Sequence, residues 1–191
     1  MIDQLRITED WIDEVTRTHK ADPILTEKVI RAFLLLEGLV KQDMPFVFKG
    51  GTALMLHFDS TKRLSIDIDI ILSDKQHNLD ESLSVLVKEQ GFTRYELQKR
   101  NTQSDIEKAH YKLFYKPARA SAGEEEYVLL DILFEKVHYT QLTKLPIQSS
   151  FVLQKGDPVL VDIPSKADLL GDKLTAYAPK YNWDSIFQRG G

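Results

Sequence analysis

The sequence predicts an α/β (α+β) fold in which helices flank a mixed β-sheet. Short apolar segments of strand length alternate with longer segments whose apolar residues recur at helical spacing. Several strand segments are joined by connections typical of hairpins, so the sheet should contain antiparallel as well as parallel pairs. The 191 residues, 42% of them hydrophobic and 28% charged, suit one domain with its own core. We therefore predict a single domain over residues 1–191.

The N-terminal residues 1–45 are predicted to be helical. A first helix should cover residues 8–20, with Thr8 as its N-terminal cap. Asp22 and Pro23 open a second helix that runs to about Val40, with the proline in its first turn. The apolar residues of this second helix define one face, which we expect to pack on the sheet: Ile24, Leu25, Val29, Ile30, Phe33, Leu34 and Leu36.

Residues 46–164 are predicted to contain the sheet. An amphipathic helix should lie between two of its strands and end near Gly91, a residue suited to a helix C-terminus. Polar connections are expected at residues 73–77, 99–108 and 118–126. Strands are predicted at residues 46–48, 65–70, 92–97, 110–115, 127–134 and 158–163, and the apolar face of the helix at Leu79, Leu83, Leu86 and Val87.

The remaining residues, 165–191, should begin with a helix over residues 165–177. Ser165 and Asp168 have the spacing of a capping box, with Asp in place of the usual Glu or Gln. The apolar face of this helix is predicted to contain Leu169, Leu170, Leu174 and Ala178.

Two aspartates lie one residue apart in the apolar segment 65–70. Successive side chains of a strand point to opposite faces, so Asp67 and Asp69 should share one face with Ser65. Their Cα atoms would then lie about 6.6–7 Å apart. Neighbouring carboxylates repel each other, and Mg²⁺ is typically held by one or two carboxylates together with substrate phosphates. The pattern therefore indicates a cation site on this face.

A glycine pair precedes the aspartates and follows the predicted strand 46–48. Gly50 and Gly51 permit a tight turn and a close backbone approach, and the Thr52 hydroxyl could cap the helix that follows. A helix N-terminus presents free N–H groups and the positive end of a dipole. The glycine pair therefore favours phosphate binding, and it is more specific because the R-x-S-x-D-x-D segment 63–69 follows it.

These two segments together resemble a known family. Residues 49–54 (KGGTAL) and 63–69 (RLSIDID) are similar to the signature of the AbiEii/AbiGii toxins. These toxins belong to the nucleotidyltransferase superfamily, whose core is shared with DNA polymerase β. The resemblance covers about residues 20–190 and implies a nucleotidyltransferase-like sheet. It also implies transfer of a nucleotide from an NTP to an RNA acceptor, a tRNA, in a toxin–antitoxin (abortive-infection) setting with Mg²⁺ or Mn²⁺.

Two further residues enter the predicted site. Asp131 is a lone acid in the apolar strand 127–134, and a buried carboxylate is costly unless it is paired or metal-bound; the alternative is a strand-end acid that faces solvent. Lys173 matches a lysine that contacts the nucleotide phosphates in the family's LxxKLxAxxP segment, although a helical surface lysine is ordinarily just solvated. Asp131 is expected to supply the third acid. Either Asp131 or one of the pair Asp67 and Asp69 is expected to orient and deprotonate an acceptor hydroxyl.

The predicted site has three groups of residues. Arg63 and Lys173 would balance the phosphate charge. Ser65 would either bind a phosphate oxygen or close a turn. Lys49 would either contact phosphate or be a solvent-exposed lysine at the end of a strand. The catalytic residues are predicted to be Asp67, Asp69, Asp131 and Lys173, the metal ligands Asp67, Asp69 and Asp131, and the nucleotide-binding residues Lys49, Gly50, Gly51, Thr52, Arg63 and Ser65.

Composition restricts the other possibilities. The net charge of −4 means that nucleic acid would have to meet a local basic patch. Without cysteine there is no disulfide framework and no cysteine zinc site. The N-terminus does not have the pattern of a signal peptide and no apolar run has bilayer length, so we expect a cytoplasmic protein without membrane contact. The aromatic residues of 92–95 and 111–115 are expected in the core. The five histidines do not have the spacing of zinc ligands: His19, His57, His77, His110 and His138.

The C-terminal helical part is expected to be short. The related toxins continue into a longer helical part with a further motif, whereas this chain reaches only Gly191. Two alternatives therefore stay open: a nucleotide- or partner-binding module without turnover, and a transferase that acts on a protein or small molecule.

Overall fold

A computed structural model describes residues 1–58, 63–73, 78–98, 107–118 and 124–177 of the chain. It contains a short 3₁₀ helix at Gln4–Arg6, five α-helices and seven strands. The helices are α1 (Glu9–His19), α2 (Pro23–Lys41), α3 (Gly50–Phe58), α4 (Leu79–Glu89) and α5 (Lys166–Tyr177). The strands are β1 (Phe46–Lys49), β2 (Ile68–Leu72), β3 (Arg94–Gln98), β4 (Lys108–Tyr115), β5 (Glu126–Leu133), β6 (Leu142–Pro146) and β7 (Leu160–Pro164).

Five strands form one mixed sheet in the order β1-β2-β5-β4-β3. Only β2 and β5 pair in parallel, and the other three pairs are antiparallel. The predicted α/β fold with a mixed sheet is therefore confirmed. The parallel pair lies at the centre, and its register places Asp69 directly beside Asp131. A second sheet contains only β6 and β7, and β7 runs next to β1.

The long helix α2 packs against the central strands β2 and β5. It begins as predicted, with Pro23 as its first residue and the Asp22 carboxylate accepting from the Leu25 N–H at 3.0 Å. From Val128 to Leu133 of β5, and from Ile68 to Ile70 of β2, buried side chains alternate with partly buried ones, so opposite faces of the sheet have different surroundings there. Ile68, Ile70, Leu130 and Ile132 are buried on one face, and the aspartates Asp69 and Asp131 lie on the other.

Three other predicted helix ends are also correct. The Thr8 hydroxyl accepts from the Trp11 N–H at the start of α1, and Gly91 follows α4 with φ +72°. Ser165 accepts from the Asp168 N–H at 3.2 Å and donates to its carboxylate at 2.8 Å. These local contacts need no partner outside their own segment, which is why the residue order alone predicts them.

Four apolar residues predicted for packed helix faces are exposed instead. Ile24 and Leu25 lie in the first turn of α2, and their side chains are 59% and 40% exposed. Leu170 and Leu174 share one face of α5 and are 56% and 62% exposed, whereas Leu169 is buried. The periodicity of apolar residues identifies the apolar face of a helix, but it does not show how much of that face neighbouring elements cover. No described element covers these four positions. Ala178 lies outside the described residues.

The strand predictions differ mainly at their ends. The strand expected at 65–70 is β2 at Ile68–Leu72, and the one expected at 158–163 is β7 at Leu160–Pro164. Strand β6 was not predicted, because its alternation is short and ends at Pro146. The predicted polar connections fall largely outside the described residues, at 74–77, 99–106 and 119–123. Within the described part of the chain, no helix combines the length and apolar character needed to span a bilayer.

Candidate functional site

Asp67 lies immediately before β2 rather than within it. The Thr52 hydroxyl donates to the Asp67 carbonyl oxygen at 2.7 Å, so a side chain of α3 takes the acceptor that a neighbouring strand would otherwise use. Two expectations are therefore wrong: that Thr52 caps α3, and that Asp67 lies within the strand. Thr52 is a fully buried residue inside α3 and not its cap, and strand alternation does not determine the direction of the Asp67 side chain. Through this hydrogen bond, Thr52 instead attaches Asp67, the residue before β2, to α3.

The start of α3 is shaped by the acidic strand. Gly50 is the first residue of the helix and has φ +81°, and a Cβ placed on it would lie 2.0 Å from Asp69 Oδ2. A Cβ on Gly51 would lie 2.5 Å from Ser65 Oγ. The absence of side chains thus lets one acid and one hydroxyl lie directly against the helix N-terminus, where free N–H groups favour anions.

Asp131 completes a group of three neighbouring acids. It is the register partner of Asp69 across the parallel pair, and its Oδ1 lies 2.6 Å from Nδ1 of His110 on β4. Its side chain is 30% exposed, so it is neither fully buried nor a freely solvated strand end. No sequence motif indicates a role for His110, because its contact with Asp131 arises from the register of β4 on β5.

The electrostatic environment of Asp69 is unfavourable for its charge. Burial, followed by the negative charges of Asp131 and Asp67, raises the pKa of Asp69 from 3.8 to about 6. The ammonium groups of Lys49 and Lys173 act in the opposite direction but do not restore the ordinary value. A carboxylate cluster with this uncompensated charge is suited to a cation.

Lys49 has a partner on the last helix. Its Nζ lies 2.9 Å from Asp172 Oδ2, and the same oxygen accepts from the Tyr139 hydroxyl at 2.7 Å. Burial, and then this hydrogen bond to a negative carboxylate, raises the pKa of Tyr139. Lys49 is therefore not the simple solvated strand end that its position suggested. This contact joins β1 to α5. Of its three residues, the sequence predicted a role only for Lys49, and Asp172 and Tyr139 were missed.

Two adjoining cavities meet at Gly51, in the first turn of α3. A polar cleft of about 390 Å³ is lined by residues that include Gly50, Asp69 and Lys173. A larger cavity of about 670 Å³ lies beyond it and shares Gly51, Leu54 and Lys173 with the cleft. The structure thus gathers most of the predicted residues around these cavities: Lys49, Gly50, Gly51, Asp69 and Lys173 in the cleft, and Arg63, Ser65 and Asp67 in the larger cavity.

Within the described ranges, no three or more His, Asp or Glu side chains are gathered so that they could hold a metal ion by themselves. The chemistry of the donors nevertheless fits a hard cation, because Asp69 is surrounded by like charge and Mg²⁺ takes oxygen ligands. Since Mg²⁺ usually keeps waters or phosphates beside one or two carboxylates, the residues present fit an ion that arrives with a nucleotide.

The comparison with protein families identifies the chain. The family model described as "Nucleotidyl transferase AbiEii toxin, Type IV TA system" matches residues 34–185, which include the whole of α3, β2, β5 and α5. The chain belongs to the AbiEii family. It has no match among curated proteins.

Two solved structures resemble this AbiEii-family chain in fold. They are JHP933 of Helicobacter pylori and a candidate nucleotidyltransferase of H. pylori, both 22% identical to it, with TM-scores of 0.52 and 0.51. Each comparison covers 78% of this chain but only 55% and 56% of those proteins. The likeness supports the nucleotidyltransferase-like fold, and the chain spans little more than half the length of these proteins.

Proposed function

We propose that this AbiEii-family chain is a Mg²⁺- or Mn²⁺-dependent nucleotidyltransferase toxin. It would transfer a nucleotide from an NTP to an RNA, a tRNA, and an antitoxin protein would restrain it. The observation that carries the proposal is the position of Asp69 against Gly50, beside Asp131 and at the wall of a cleft that also contains Lys173. An acid cluster next to a helix N-terminus can bind a cation and the phosphates that it neutralises.

The polar cleft would take the triphosphate. The N–H groups at the start of α3 and the Lys173 ammonium line the same space, and both favour phosphate oxygens. Arg63 and Ser65 line the adjoining cavity and would contact the part of the nucleotide that extends there. Lys49 is engaged by Asp172, so its role is to neutralise the wall of the cleft and to hold α5.

The acids would divide the remaining work. Asp67, Asp69 and Asp131 would hold the divalent ions, which supply charge stabilisation for the attacking and leaving oxygens of an in-line displacement. Asp131 would accept the proton of the acceptor hydroxyl, because it lies beside Asp69 but does not line the polar cleft or the larger cavity.

A second candidate function is a binding module without turnover. It is favoured by the exposed leucines of α5, Leu170 and Leu174, which offer an apolar surface to a partner. A protein or small-molecule acceptor is a further alternative, since the net charge of −4 provides no overall attraction for RNA.

The test is transfer of label from each NTP to total tRNA in the presence of Mg²⁺. The unmutated chain is compared with Asp67→Ala/Asp69→Ala, and with Asp162→Asn as a control, because Asp162 is an acid of β7 paired with Lys144 outside the site. We expect incorporation by the unmutated chain and by the control only. Nucleotide binding without incorporation would favour the binding module, and incorporation by the double variant would contradict the metal role of these acids.

A further inference from the structure

The contact between His110 and Asp131 is built into the sheet. The two residues are register partners on neighbouring antiparallel strands, so their side chains leave the same face at adjacent positions. His110 is 11% exposed, more buried than its partner, and its Nδ1 lies 2.6 Å from Asp131 Oδ1. The pair therefore has a fixed geometry before any ligand binds.

The tautomer of His110 follows from the chemistry proposed for Asp131. A carboxylate that binds a cation or accepts a proton must be ionised, and an ionised carboxylate only accepts hydrogen bonds. His110 Nδ1 must then carry the proton and donate it to Oδ1. This bond occupies Oδ1 of Asp131, and no hydrogen bond from the described residues occupies its Oδ2.

The pair lines a separate cavity that also borders Asp69. This cavity, which we call the β4-side cavity, has a volume of about 160 Å³ and is lined by Lys49, Asp69, Lys108, His110 and Asp131, together with Ile70, Ile132 and Leu133. Lys49 and Asp69 also line the polar cleft, so Asp69 forms a wall of both spaces. An in-line displacement needs the nucleophile and the leaving group on opposite sides of the phosphorus.

We propose that His110 is a positioning residue for the acceptor side of the reaction. It holds Asp131 with Oδ2 free in the β4-side cavity, where the acceptor hydroxyl enters. The hydroxyl oxygen forms a bond to the α-phosphorus, the bond from that phosphorus to the β-phosphate oxygen breaks, pyrophosphate leaves, and the hydroxyl proton passes to Asp131. This inference rests on the proposed function and adds a residue to it.

The test uses two amide substitutions of similar size and polarity. In His110→Asn the amide nitrogen can take the place of Nδ1, whereas in His110→Gln it reaches the place of Nε2. We expect His110→Gln to lower both Mn²⁺ affinity in the presence of an NTP analogue and the single-turnover rate about 10- to 100-fold, the usual effect of losing such a supporting bond. His110→Asn should stay within about threefold of the unmutated chain, and NTP affinity without metal should not change in either.

Controls separate this inference from the proposed function. His19→Gln removes a histidine that stacks on Phe151 outside the site, and it should leave Mn²⁺ affinity unchanged. Equal behaviour of His110→Gln and His110→Asn, whether both are normal or both impaired, would overturn the positioning role. If Asp131→Asn and Asp69→Asn also leave Mn²⁺ affinity unchanged, the proposed function fails as well; if they lower it while His110→Gln does not, only the present inference fails.

Discussion

Gly50 is the residue at which the backbone of α3 and the acid of β2 meet. Its φ of +81° is a conformation that glycine adopts freely, and the space that a Cβ would need is taken by the Asp69 carboxylate. Gly156 has a similar φ of +72° but no atom within 4 Å of its Cβ position. A comparison of substitutions at the two glycines therefore separates two free-energy costs: that of the backbone conformation and that of displacing Asp69.

Gly50→Ala and Gly156→Ala should differ in stability and in metal binding. Both variants carry the left-handed conformation, which costs about 1–2 kcal/mol for a residue with a Cβ. Gly50→Ala adds a steric conflict with Asp69, worth about 1–3 kcal/mol more, and should also lower Mn²⁺ affinity. Urea unfolding and Mn²⁺ titration measure the two effects. Equal losses in both variants would show that Asp69 does not depend on the missing side chain.

At the scale of elements, α5 is attached to the site by Asp172. This carboxylate binds Lys49 of β1 and accepts from Tyr139, so one side chain connects three segments of the chain. Thr140 also attaches this helix, because its hydroxyl lies 3.0 Å from both carboxylate oxygens of Asp168. Since Lys173 follows Asp172 directly, the same contact determines where Lys173 lies along the cleft.

Asp172→Asn should loosen α5 without unfolding the sheet. The ion pair would be lost, with a cost of about 1 kcal/mol, and amide exchange of residues 166–177 should accelerate more than that of β2 and β5. Asp162→Asn is the matched control, because its pair with Lys144 is more exposed, at 40% and 62%, and such pairs are worth less. Exchange in α5 that does not change, or that changes equally in both variants, would contradict this attachment.

The elements show how far sequence reasoning extends. Segments with strong alternation or periodicity were predicted within a few residues, as for β4 and β5, because the pattern is local. Thr52 was misread because its hydroxyl bonds to Asp67, fifteen residues further along the chain. His110 and Asp172 were missed for the same reason: their partners come from strand register and helix packing, which no local pattern encodes.

For the whole molecule, the acid cluster makes stability depend on pH. Because the pKa of Asp69 is raised from 3.8 to about 6, the folded chain binds its proton more tightly than the unfolded chain. Between about pH 4 and pH 6 the folded state therefore holds more protons, and the free energy of unfolding falls as the pH rises through this window. The shift corresponds to about 3 kcal/mol at most.

Asp69→Asn should remove this dependence. In EDTA, the variant should gain stability relative to the unmutated chain as the pH rises from about 4 to about 6, with little further change above. Glu125 and Asp168 have lowered pKa values, so their contribution to stability is lost as the pH falls, but both residues are present in both chains and the difference between the chains isolates Asp69. Urea unfolding at a series of pH values provides the measurement. A difference that is constant across this window would contradict the raised pKa.

The central claim is that the acids of β2 and β5 and the glycine start of α3 form one site for a divalent ion and an NTP. The most direct measurement is a crystal structure with Mn²⁺ and a non-hydrolysable NTP analogue, with the ion located by its anomalous signal. We predict a Mn²⁺ peak with oxygen ligands from Asp67 and Asp69 and from the analogue's phosphates, and phosphate oxygens at the N–H groups of Gly50 and Gly51. A peak elsewhere, or phosphates remote from α3, would contradict the claim.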